Sequence, residues 1–253
     1  MDRLAFNAAA AINEQRVARQ MTTNELANVS TPGFKRSFEA AVRAVKVEGA
    51  GFQSRMQPQA FSTDYINMSP GALMTTGREL DVAFNDQTVL GVSTRDGSLA
   101  FTRRGDLRVN AKGVLETGGG DMVQGQGGAA ITIPPGFQVS IAKDGTVFAQ
   151  DPAQVGQAQA VSVGKMLLRD SSKTPLQRTE IGLYQVVGKP GADIAPGPVL
   201  PSLTSKSLEG SNVNAMEVMV KLIAQSRSFE QQVNMIKESK QVDESGASML
   251  KSS

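Results

Sequence analysis

Thr88-Val89-Leu90-Gly91-Val92, then Asp96-Gly97, then Leu99-Ala100-Phe101-Thr102 decide the reading of the middle of this chain. Apolar and β-branched runs on either side of an Asp-Gly pair predict two strands joined by a tight turn, because glycine adopts positive φ without steric cost. The same alternation extends in both directions. Leu80-Asp81-Val82-Ala83-Phe84 precedes it. Val139-Ser140-Ile141, a second turn at Asp144-Gly145, Thr146-Val147-Phe148, Lys165-Met166-Leu167-Leu168 and Leu183-Tyr184-Gln185-Val186 follow. Residues 72–187 are therefore predicted to form a central antiparallel β-rich domain. Pro190, Pro196, Pro198 and Pro201, with Gly191 and Gly197, make 188–206 an extended return linker that cannot enter a central strand. Residues 37–71 are read as a second linker, irregular and extended from Gly49 to Pro70.

The two ends of the chain have a different period. From Asp2 to about Val29 there is neither Gly nor Pro, and Ala5, Ala8, Ile12, Leu26 and Val29 recur at helical spacing, interrupted by Gln15, Arg19 and Thr22. From Asn212 to about Gly246 a second helix is expected, capped by Ser211-Asn212. Its heptad positions Met219, Leu222, Phe229, Val233 and Ile236 are broken by Ser226. At 1.5 Å per residue it would reach about 50 Å. Neither stripe is complete enough to close a core alone. The expected fold class is mixed α+β: long N- and C-terminal helices pairing as a coiled-coil-like arm beside the β domain, with burial finished by neighbouring copies. The division is 1–36, 37–71, 72–187, 188–206 and 207–253.

Composition removes many chemistries. The 253 residues contain no Cys, His or Trp, which excludes Ser-His-Asp and Cys-His relays, imidazole and thiolate metal ligands, and disulfides. No cofactor and no metal are expected. The net charge of +2, from 26 basic and 24 acidic residues, gives no reason to expect a nucleic-acid partner. No run approaches the roughly 18–20 apolar residues of a membrane span. The first residues lack the basic and apolar regions of a cleavable secretion signal. Asp96, Asp106, Asp121 and Asp144 read as turn residues rather than an acid–base pair, and Gly118-Gly119-Gly120-Asp121 as a hairpin tip. Lys35-Arg36 and Arg103-Arg104, without aromatic neighbours at stacking spacing, read as solvated basic faces. Met216, Met219 and Met235 suit an adaptable helix–helix surface.

Asn24-Glu25-Leu26-Ala27-Asn28-Val29-Ser30-Thr31-Pro32-Gly33-Phe34-Lys35-Arg36 resembles the N-terminal signature of the flagellar rod, hook and hook-associated family, with Glu25 replacing a usual Asn. Ser207-Leu208-Glu209-Gly210-Ser211-Asn212-Val213-Asn214 is similar to the family's C-terminal motif. Gly77-Arg78-Glu79-Leu80-Asp81-Val82-Ala83 and Phe101-Thr102-Arg103-Arg104-Gly105-Asp106-Leu107 are similar to segments between them, Phe101 standing where Tyr is usual. Within that family the length suits the two longer rod subunits. The strand Asp86-Gln87-Thr88-Val89-Leu90-Gly91-Val92, degraded from the usual Gly-x-Gly-Phe-Phe, looks more like the proximal than the distal one.

The resemblance implies a structural, non-enzymatic subunit that polymerises through its terminal helices into the hollow axial rod. It implies other proximal and distal rod subunits and the flagellar type III export apparatus as partners, with no nucleic acid, membrane insertion or small-molecule substrate. The location implied is the periplasm-spanning basal body. The residues expected to carry assembly are Ile12, Asn24, Leu26, Asn28, Val29, Gly33 and Phe34 near one end, and Asn212, Val213, Met219, Leu222, Phe229, Val233 and Ile236 near the other. The rival readings are the distal rod subunit, a carbohydrate-binding or carbohydrate-active β protein, and an isolated coiled-coil adhesin or scaffold. Two Tyr and no Trp are poor provision for stacking on sugar rings.

Overall fold

The computed structural model describes residues 2–37, 41–46, 56–61, 65–153 and 160–251. The chain divides into two compact units: one of residues 1–27, 39–63 and 214–253, the other of 28–38 and 64–213.

The first unit contains helix α1 (Asp2–Ala27), the antiparallel hairpin β1 (Ala41–Lys46) and β2 (Met56–Phe61), and a helix, α2, over Ala215–Lys251. Part of the stretch expected to be irregular, 49–70, thus forms a strand; 49–55 and 62–64 lie outside the described residues. The side chains of Ala5 and Ala8 also lie outside them. The helix α2 begins later than the expected Asn212. Its cap is Asn214, whose Oδ1 accepts from the amides of Met216 at 3.0 Å and Glu217 at 3.3 Å.

The expected fold class is corrected here. The helices are unequal, 26 and 37 residues, and no coiled-coil arm built on a long, paired N-terminal helix is present among the described residues. Where heptad packing would enclose them, Met219 is 46% and Phe229 41% exposed. Polar side-chain contacts link the helices: Gln225 Nε2 donates to Thr22 Oγ1 at 3.1 Å, and Gln15 Nε2 donates to Ser228 Oγ. The physical reason lies in the interruptions already visible in the sequence. Gln15, Thr22 and Ser226 put amides and hydroxyls where knobs-into-holes packing requires apolar volume.

The second unit is β-rich. Its strands are β3 (Leu73–Thr75), β4 (Val82–Phe84), β5 (Thr88–Ser93), β6 (Leu99–Thr102), β7 (Leu107–Val109), β8 (Leu115–Thr117), β9 (Met122–Val123), β10 (Gln138–Ile141), β11 (Thr146–Gln150), β12 (Val161–Lys165), β13 (Leu168–Asp170), β14 (Leu176–Arg178), β15 (Tyr184–Val186), β16 (Leu203–Ser205) and β17 (Ser207–Glu209). An antiparallel sheet runs β14-β15-β6-β5-β9-β8-β7, with β13 also paired to β5; β10-β11-β12 form a second sheet. The last two strands return to the beginning, β16 onto β4 and β17 onto β3. Both Asp-Gly turns form, with φ of +78° at Gly97 and +85° at Gly145.

Lys165–Leu168, expected as one strand, is divided. Its start ends β12 against β11, and its last residue opens β13 against β5. Between them the amides of Met166 and Leu167 donate to the carbonyls of Gly145 and Gln124, each satisfied by a different neighbour. The main core gathers Val82, Leu90, Val92, Leu107, Leu115 and Leu203, all inaccessible to solvent. A smaller cluster joins Ile66, Val89, Phe101, Leu176, Tyr184 and Ile194.

Candidate functional site

The two terminal motifs meet inside the β-rich unit. Gly33 leaves the N-terminal segment with φ +68°, and a Cβ there would collide with the carbonyl of Arg103, so only glycine allows the approach. Its amide donates to the carbonyl of Glu209 at 2.7 Å. Its carbonyl accepts from the buried Tyr184 hydroxyl at 3.2 Å. Burial pushes the Tyr184 phenol up to about 12. Next in sequence, the Phe34 ring lies 4.3 Å from the Arg178 guanidinium carbon, a cation–π contact, and Arg178 also donates to the carbonyl of Lys35.

Asn212 supplies four more cross-links. Its Oδ1 accepts from the Arg36 amide at 2.8 Å, its Nδ2 donates to the carbonyls of Asn67 at 2.9 Å and Ser69 at 3.2 Å, and its own amide donates to the Phe34 carbonyl at 3.3 Å. Because those bonds hold it against residues 34–36 and 67–69, Asn214 is left to cap the helix.

Three charges are enclosed at the centre of this clasp. Glu209 Oε1 accepts from Lys35 Nζ at 2.6 Å and from the Gly71 amide at 3.0 Å. Glu209 Oε2 accepts from Arg103 Nε at 2.8 Å and from a second Arg103 nitrogen at 2.6 Å. The remaining Arg103 donors reach the carbonyls of Phe84, Asp86 and Thr88, and Lys35 Nζ also reaches the Ser69 carbonyl. The side chains of Lys35, Arg103 and Glu209 are 0%, 2% and 5% exposed. Burial, partly offset by the Glu209 hydrogen bond, holds the Lys35 ammonium below its ordinary value.

The reading of Lys35 and Arg103 as solvated cations is thus overturned. The available signal was the strand period: Arg103 stands two residues after the wholly buried Phe101, on the same face, and Glu209 stands two after the buried Ser207. Glu209 itself was not singled out by the sequence.

The turn carboxylates Asp106 and Asp144 have local partners. Asp144 accepts from Thr146 and from Lys165 Nζ at 3.0 Å, which holds its carboxyl down to about 2, and Arg104 forks onto Asp106 at 2.7 and 2.9 Å. No group of three or more potential metal ligands occurs among the described residues. No helix there is long and apolar enough to cross a membrane.

The residues expected to carry assembly fall into two sets. Asn28, Val29, Gly33, Phe34, Asn212 and Val213 belong to the β-rich unit. There Asn28 Oδ1 accepts from the Thr31 hydroxyl at 3.1 Å, Val29 is half-buried, and Val213 is buried. In the helical unit Ile12, Leu26, Leu222, Val233 and Ile236 are half-buried, and Asn24, Met219 and Phe229 are exposed.

The start of α2 is apolar on two sides. Val218 is buried and Leu222 half-buried, while Met216, Met219, Val220 and Ile223, at 71%, 46%, 63% and 55% exposure, fall on the opposite side at 3.6 residues per turn. Met235 and Val242 are also exposed further along. On the helices the side-chain carbonyl oxygens of Gln15, Gln225 and Gln232 are enclosed without a donor among the described residues, as is that of Gln124 in the β-rich unit.

Comparison with known proteins agrees with this arrangement. A family model described as the C-terminal region of flagellar basal body rod FlgEFG proteins matches residues 204–249, and one described as the flagellar hook protein FlgE/F/G D1 domain matches 87–149. The chain is 37% identical over 241 residues to the flagellar basal-body rod protein FlgF of Escherichia coli K12, covering 93% of each. It is 36% identical to that of Salmonella typhimurium LT2, again over 93% of each. The flagellar basal-body rod protein FlgG of Buchnera aphidicola subsp. Baizongia pistaciae is 31% identical, over 87% of this chain and 88% of the relative. A chain that carries the family's terminal motifs as one interlocked clasp, and matches its relatives almost end to end, belongs to the flagellar basal-body rod proteins as a FlgF-like structural subunit, not an enzyme.

Proposed function

We propose that this subunit builds the proximal rod by packing α1 and α2 against the same helices of neighbouring subunits, giving a tube that transmits torque across the periplasm and conducts exported protein. The observation that carries this reading is the apolar face of Met216, Met219, Val220 and Ile223, which covers two turns of α2 and faces solvent in the single chain. Such a face costs free energy in water until another apolar surface covers it. The enclosed acceptors of Gln15, Gln225 and Gln232 support the same reading, since buried polar atoms without donors are expensive to retain. Ile12, Leu26, Leu222, Phe229, Val233 and Ile236 complete the proposed contact along the helices. Asn24, Asn28, Val29, Gly33, Phe34, Asn212 and Val213 set the positions from which the helices depart. The 37% identity to the Escherichia coli FlgF, against 31% to the Buchnera aphidicola FlgG, supports the proximal over the distal position. Export through the flagellar type III apparatus, without a cleaved signal, belongs to the same proposal.

The test is a full-length Met219→Asp/Ile223→Asp variant, scored by electron microscopy of isolated basal bodies and by motility. The expected result is a β-rich unit with unchanged spectroscopic signature and basal bodies without a completed rod. Normal rods would refute the reading.

A further inference from the structure

Lys35, Arg103 and Glu209 come from the first, middle and last segments of the β-rich unit, and only the last brings negative charge. Glu209 ends β17, the final strand. Among the described residues no other carboxylate bonds to Lys35 or Arg103; their remaining partners are backbone carbonyls, which accept hydrogen bonds but supply no countercharge. Two other buried carboxylates of the unit are occupied elsewhere: Asp81 by Arg78, and Asp170 by Ser172 and the Val199 amide. If the unit closed without residue 209, two cations would be enclosed with no anion. Removing one partner of such a cluster costs a large share of a small domain's stability margin. The same segment also delivers the wholly buried Leu203 to the main core and the carbonyl that receives the Gly33 amide.

We propose that Glu209 is the key that closes the β-rich unit: the fold around Lys35 and Arg103 stays open until 207–209 is in place. A chain that presents its N-terminal end first therefore remains unclosed through nearly all of its length, whichever machinery delivers it.

The experiment uses the full-length chain and amide hydrogen exchange at β5 and β6. Glu209→Gln keeps the shape and removes the charge, and is expected to accelerate exchange there by about 100-fold or more. Adding Lys35→Met to that variant relieves one uncompensated cation and is expected to restore part of the protection. Lys35→Met alone leaves Arg103 and Glu209 paired and is expected to change exchange less than tenfold. Less than a tenfold effect of Glu209→Gln would overturn the proposal. So would a double variant no better protected, or no better folded, than Glu209→Gln alone.

Pulse-labelled refolding of the unaltered chain gives a second reading. The amides of Gly33, Leu107 and Gly210 should gain protection in a single phase. Protection of Leu107 in an earlier phase, with Gly210 still open, would contradict the proposal.

Discussion

The β-rich unit and the helical unit solve opposite problems. In the first, Val89, Leu90, Val92, Phe101 and Leu107 are wholly enclosed, and even its buried cations have a carboxylate between them. In the second, four large apolar side chains at the start of α2 face water, and three glutamine oxygens are enclosed without donors among the described residues. The β-rich unit encloses its core and its central charges within one molecule, although Gln124 Oε1 there also lacks a donor among the described residues; the start of α2 leaves an apolar face uncovered in the single chain. If the open face of α2 carries the proposed assembly contact, stability and assembly rest on different residues, and substitutions should separate them.

The largest stability effect is expected in the enclosed unit. Phe101→Ala empties a site that the chain fills completely, and should lower unfolding free energy by about 3–5 kcal/mol in denaturant titration followed at the β signal. A loss under about 1 kcal/mol would mean that this core is looser than its burial indicates.

Alkaline pH probes the same unit through Tyr184. Its phenol titrates near 12 when folded against 10.0 ordinarily, so the folded state holds the proton longer. The associated stability is complete below pH 10 and is lost as the pH rises toward 12, by roughly 2–3 kcal/mol. Lys35 acts in the opposite sense at lower pH: its folded value lies below 10.5, so stability rises with pH until the unfolded ammonium has also titrated. Comparing the chain with Tyr184→Phe isolates the tyrosine. A substituted chain with the same loss between pH 10 and 12 would assign that loss elsewhere.

In the helical unit, Met216→Asp should change the stability of the isolated chain by no more than about 0.5 kcal/mol, since the residue is already 71% exposed. A large loss of helical signal in dilute solution would show that the face is covered within one molecule. The smallest effect belongs to Asp144→Asn. The Lys165 pair is exposed on both sides and screened, so thermal unfolding should shift by an amount close to measurement error, with function retained. Loss of function there with stability intact would revive a carbohydrate-directed reading of the turn carboxylates.

Much of the β-rich unit was legible because its signals are local. The Asp-Gly pairs fix turns whatever surrounds them, and the apolar runs beside them have few alternatives. What escaped depends on distant partners. The break between β12 and β13 follows from Met166 and Leu167 bonding different neighbours, and no run of apolar residues announces it. Lys35 and Arg103 carry charge, which marks a residue as exposed unless its counterion is known, and Glu209 lies beyond any local window. Asn212 looked like a helix cap because Asn is a good one; the structure uses it on residues 34–36 and 67–69 and leaves the cap to Asn214. The interruptions of the helical stripes are visible in the sequence, but they yield polar cross-links and an open apolar face instead of the expected coiled-coil arm.

Amide hydrogen exchange on the dilute, full-length single chain tests the division most directly. Strands β5 and β6 should exchange only through global opening, while amides of 215–242 in α2 exchange orders of magnitude faster and become protected once subunits associate. Equal, slow exchange in α2 and in β5 from a single molecule would contradict it.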